Sequence, residues 1–168
     1  GYFLLGLLGA FLFYSGNLLW LDKRMKKADG SDRNCRWLAA LTIGVCLGSM
    51  LAVALTMLVG KLAAPWLHNV NYAYLWCYYL SFVTFVAYSC WRGAARSAYQ
   101  GLVALSLTCA LLPVATLYLQ WSRPLQYQLS LTMAVDLMAL LFAGLFAVAA
   151  GKTNRRLQQA IPGSVWSV

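Results

Sequence analysis

The chain contains no glutamate. Its four acidic residues are all aspartates, and three of them, Asp22, Asp29 and Asp32, crowd one polar segment. That leaves Asp136 as the single carboxylate in an apolar stretch, and it removes general acid–base chemistry by a glutamate or a close carboxylate pair there. Histidine is nearly absent as well. His68 stands alone, so the chain cannot build a bis-histidine haem site or a zinc site of the usual kind. Five cysteines, Cys35, Cys46, Cys77, Cys90 and Cys109, show no C-x-x-C spacing, which excludes a zinc ribbon or a dithiol redox motif. There is no Walker loop, no dinucleotide fingerprint and no Ser/His/Asp set, so no catalytic residue and no metal site is assigned. Charge is scarce overall: 10% of residues are charged, against about 25% in a soluble domain.

What fills the chain is hydrocarbon. Hydrophobic residues make up 62% and the mean hydropathy is +0.67. They fall into five long blocks, at about 1–21, 37–60, 72–91, 101–120 and 129–151. At about 1.5 Å per residue, each is long enough to cross a hydrocarbon core of roughly 30 Å. The fold expected is therefore all-α: an integral membrane bundle of five transmembrane helices, forming one domain over residues 1–168. The first block runs G-Y-F-L-L-G-L-L-G-A-F-L-F-Y-S-G-N-L-L-W-L and stops at D-K-R-M-K-K. It begins at residue 1 with no initiator methionine and no flank, so the chain reads as the C-terminal part of a longer protein.

The net charge of +9 raises the possibility of a nucleic-acid partner, but the basic residues sit at block ends and not on a soluble face. They read as topology instead. Lys23, Arg24, Lys26, Lys27, Arg33, Arg36, Arg92, Arg96, Lys152, Arg155 and Arg156 fall on one side, leaving Lys61 and Arg123 for the other. The positive-inside rule then puts the eleven in the cytoplasm, with Gly1 outside and Val168 inside. Trp20, Trp37, Trp66, Trp91 and Trp121 all stand at block ends, where indole favours the headgroup layer. The lipid bilayer is the expected partner.

Helices in lipid gain little from burying apolar surface against each other, so close approach through small residues decides their packing. The second block has such a residue at every fourth position: Ala40, Gly44, Gly48, Ala52, Thr56 and Gly60. Gly44 and Gly48 form the centre of that row. The fifth block repeats the pattern at Ala139, Ala143, Ala147 and Gly151. At 100° per residue, all four lie within about 60° of Asp136. Asp136 is thus expected on a packed face, where a carboxylate requires a partner or water. It could be a proton or cation site, the partner of a cofactor propionate or a basic side chain, or a structural group bonded to Ser, Thr or Tyr of another span. His68 reads as an interfacial loop residue, with one axial haem ligand as its alternative. The third block is rich in aromatics, with Tyr78, Phe82 and Phe85 on one face. Pro113 is expected to kink the fourth.

The first block and its basic stop resemble the late transmembrane segment of the PepSY-associated transmembrane family, in the pattern L-G-x-x-G-A-x-L-F-Y-S-G-N-L-L-W followed by the basic cluster. R-W-L-A-A-L-T-I-G-V-C-L-G-S and C-W-R-G-A-A-R are similar to that family's later helices. The resemblance implies a bacterial inner-membrane protein with upstream helices and periplasmic PepSY modules. It also implies a role in iron uptake, through transmembrane electron transfer by b-type haem to a ferric siderophore. Family haem ligands are histidines within helices, and no block here contains one, so no haem site is carried onto these residues and His68 matches no family motif. The rival expectation is a non-enzymatic membrane scaffold, or a small-solute permease module that uses Asp136.

Overall fold

The structure is a computed structural model that describes residues 16, 19, 20, 23, 33–63, 70–122 and 129–158. The first expected span lies largely outside the described residues, as does His68. The rest is helical: α1 is Arg33–Ala63, α2 is Val70–Arg92, α3 is Ala94–Ser122 and α4 is Leu129–Gln158. All four are long and apolar enough to cross a membrane. The described chain is thus an all-α protein of multi-pass membrane type.

The helices extend past the blocks read from sequence. Lys61, which the apolar pattern places in a connecting loop, belongs to the last turn of α1. The basic loop expected over 92–100 is instead a single residue, Gly93, with helix on both sides. Its φ of +84° is a left-handed conformation that side chains other than glycine resist. Its N–H still donates to the Ser89 carbonyl, and its own carbonyl accepts from the Ser97 N–H, so the chain reverses with little backbone left unbonded. Arg92 and Arg96 give this stretch a loop-like polarity. Charged residues on helix ends at a membrane surface carry the same signal.

α1 is the axis. It packs along both α2 and α3, while α4 packs on α3 and α2 meets α3 over a shorter stretch. The register follows from the glycines. On α1, Gly44 lies against Ser89, Gly48 against Phe85 and Gly60 against Tyr74 of α2, so rising numbers meet falling ones and the pair is antiparallel. α1 and α3 run parallel, with Leu47 beside Gly101 and Ala39, Ala40 and Ile43 clustered with Ala94 and Ala98. Of the small row on α1, Ala40, Gly44, Gly48, Ala52 and Gly60 are buried. The Phe85 ring sits between glycines of two helices. A Cβ on Gly48 would lie 3.1 Å from it, and one on Gly101 would lie 2.6 Å from it.

Polar side chains are bonded inside the bundle, as a medium without water demands. Thr42, Ser49, Thr56, Ser81, Thr108 and Thr153 donate to carbonyls three or four residues back. Hydroxyls also tie helices together. Ser89 donates to the Ala40 carbonyl at 2.8 Å, and Ser106 donates to the Ala143 carbonyl at 2.9 Å. Tyr88 and Gln100 join α2 to α3. α3 remains helical on both sides of Pro113.

The outward faces are apolar, with Leu75, Leu80 and Val83 exposed on α2 and Leu137, Leu141 and Leu145 on α4. Trp91 and Trp121 are 84% and 92% exposed at helix ends. In a bilayer those positions place indole at the headgroup layer. The aromatic wealth of α2 is mostly directed outward: Tyr72 and Tyr79 are exposed, Tyr78 and Phe82 stack with each other, and only Phe85 is buried.

Candidate functional site

Asp136 is the only acidic residue among the described ones, and the structure gives it two partners from two other helices. Lys61 Nζ of α1 lies 2.9 Å from its Oδ1, and Thr116 Oγ1 of α3 lies 3.0 Å from the same atom. Lys61 also donates to Thr116 Oγ1 at 2.6 Å. The threonine hydroxyl therefore accepts from the ammonium and has one proton to give, either to Asp136 or to the Leu112 carbonyl at 3.1 Å. The lysine and aspartate side chains are 19% and 16% exposed. The triad joins three helices with no net charge.

Local sequence explains how each member arrives. Lys61 follows Gly60 at the end of the small row, and a cation in the last turn suits the negative end of the helix dipole. Thr116 is one turn past Leu112 on the buried face of α3. Asp136 begins the packed face of α4, which continues through Ala139, Ala143 and Ala150. Ala147 and Gly151, expected on that face, are exposed. Positions four apart drift by about 40° per step, whereas a packed face keeps to 3.6 residues per turn, so the row leaves the α3 interface halfway along.

Lys61 stands thirteen residues from the middle of α1 and Asp136 about seven from the middle of α4. These spacings are roughly 20 Å and 11 Å along the helices. The pair thus lies toward the end of α1 and in the first third of α4.

Beside the triad is an open cavity of about 400 Å³. Thr56, Met57, Gly60, Lys61, Tyr74, Leu112 and Val135 line it. Tyr74 can lie over α1 because residue 60 has no side chain, since a Cβ there would fall 2.1 Å from the ring. The walls are mostly apolar, and Lys61 is the one charged member among the described lining residues.

Among the described residues no group of three or more His, Cys, Asp or Glu is placed to hold a metal ion. Cys46, Cys77, Cys90 and Cys109 are free thiols. Of the packing residues named from sequence, Gly44 and Gly48 face α2, and Ala139 and Ala143 are buried. Lys61 and Thr116 are the members that the sequence pattern does not single out. It does hold one signal: an aspartate near the side assigned few basic residues has only Lys61 and Arg123 as nearby cations. Compared with known proteins, the chain matches no family model, no curated protein and no solved structure.

Proposed function

We propose that this chain is a helical scaffold in a multi-pass protein of the bacterial inner membrane, and that the protein serves iron uptake by transmembrane electron transfer to a ferric siderophore. The observation that carries the scaffold reading is the triad. The charges of Asp136 and Lys61 satisfy each other and join α1, α3 and α4. A carboxylate matched by a fixed ammonium and a hydroxyl from two other helices is suited to holding helices together.

The redox setting is supported by the resemblance of the first block and its basic stop to the PepSY-associated family. In this reading the haem ligands are histidines outside the four described helices, and these helices hold the redox core in place. The full-length protein tests it. A Soret band in the purified protein and ferric-siderophore reduction in membranes are expected. Their absence would leave a membrane scaffold without the redox role.

The orientation belongs to the same proposal, with the basic ends in the cytoplasm and the triad on the periplasmic side. Fusions of alkaline phosphatase after Gln126 and after Gln158 measure it. Activity is expected from the first fusion and not the second, and the opposite pattern would reverse the assignment.

A further inference from the structure

α3 and α4 do not close on each other along their whole length. Ser106 and the Ala143 carbonyl bind them midway. From there toward the start of α3 and the end of α4 they leave an open groove of about 260 Å³. Tyr99, Val103 and Leu107 form one wall, and Ala147, Gly151 and Asn154 form the other. The second half of the small row on α4 is therefore the wall of a groove. A Cβ on Gly151 would meet nothing within 4 Å. In a bilayer, an apolar groove that opens sideways takes hydrocarbon.

The mouth of the groove decides which hydrocarbon. Tyr99 and Asn154 place a phenol and an amide at the end nearest the helix termini. Just beyond them are two exposed arginines, Arg96 on α3 and Arg155 on α4. By helical register Arg96 lies within about 40° of the groove face and Arg155 about a quarter-turn from it. Asp136, the only described acid, lies near the opposite end of α4, nineteen residues before Arg155, or roughly 28 Å along the helix. Arginine holds phosphate oxygens in pairs, and basic pockets between transmembrane helices select anionic headgroups.

We propose that the α3–α4 groove is a binding site for an anionic phospholipid. One acyl chain lies against Val103, Leu107, Ala147 and Gly151. Arg96 and Arg155 hold the phosphate, and Tyr99 and Asn154 hydrogen-bond the headgroup side. A phosphatidylcholine offers the same chains and the same phosphate, but its quaternary ammonium opposes the arginines. Charge at the mouth and space in the groove are separate requirements, and each can be removed alone.

The test is native mass spectrometry of the full-length protein in detergent, with phosphatidylglycerol or phosphatidylcholine of identical chains added. Phosphatidylglycerol is expected to be retained in preference. Arg96→Gln and Arg155→Gln should each weaken retention about 5-fold, and the double variant roughly 25-fold. Ala147→Leu fills the groove with both arginines intact and should also weaken it. Arg156→Gln is the charge control, because residue 156 lies about 180° from Ala147 on the helix, and it should change nothing. Circular dichroism should report unchanged helicity in every variant, since all these positions are exposed. Equal retention of phosphatidylcholine, an unaffected Ala147→Leu protein, or equal loss in Arg156→Gln would each overturn the proposal. So would full displacement of the lipid by glycerol phosphate, because the ligand would then be a free phosphate ester.

Discussion

Replacing Gly44 with leucine is expected to separate α2 from α1 and to remove a large part of the bundle's stability. A Cβ at residue 44 would stand 3.0 Å from Ser89 Cβ and 3.3 Å from Val86 Cα. The second of these is backbone and cannot rotate away. Ser89 cannot yield cheaply either. It donates to the Ala40 carbonyl at 2.8 Å and lies 2.9 Å from Ser97 Oγ, whose one proton goes either to Ser89 or to a carbonyl of its own helix start, with Gly93 at 2.7 Å. Both serines are fully buried. Overpacking costs about 1–3 kcal/mol. Separating buried hydroxyls from their partners adds about 1–3 kcal/mol. Against a total stability of roughly 5–15 kcal/mol, that loss lowers the melting temperature in detergent far outside measurement error.

Gly144→Leu makes the same chemical change in α4, where a Cβ would meet nothing within 4 Å. It should be neutral or slightly stabilising, because leucine favours helix over glycine by about 1 kcal/mol. Equal melting temperatures for the two variants would show that the glycine row does not set the α1–α2 approach.

The contrast between these two glycines also marks how far the amino-acid pattern reaches. In lipid, close helix approach needs small residues, so the row from Ala40 to Gly60 is legible as an interface from its spacing alone. Its partner is not, because α2 offers no matching row. It offers Ser89, Phe85 and Tyr74, whose selection depends on register. Gly101 stands at the start of an apolar block, yet it lies well inside α3, where it takes the Phe85 ring. The row on α4 misleads in its second half, because spacing by four imitates a packed face for only two or three turns. Asp136 is recognisable as a group in need of a partner, since an unpaired carboxylate in a span is costly. A helix boundary hides that partner: Lys61 looks like loop charge, although α1 carries it to the last turn beside Thr116.

Lys61→Met is expected to destabilise the protein by about 2–3 kcal/mol, and Asp136→Leu by about 1 kcal/mol. The asymmetry comes from reach. Without Asp136, the lysine stands two residues from the end of α1, and its long stem can carry the ammonium to the headgroup layer. Without Lys61, the short aspartate cannot leave its place seven residues into α4. It keeps Thr116 as its donor but loses its one described charge partner. The double variant Lys61→Met/Asp136→Leu should return to within about 1 kcal/mol of the parent, because a buried ion pair replaced by apolar residues of similar size is close to neutral. Thr116 loses nothing in that protein, since its hydroxyl still has the Leu112 carbonyl at 3.1 Å. Additive losses in the double variant would mean that the pair contributes no coupling. The same three proteins separate scaffold from transport. Under the proposed role in iron uptake, a triad that only holds helices together makes uptake follow stability, and the double variant works. If Asp136 exchanges a proton or a cation during uptake, the double variant folds normally and is inactive.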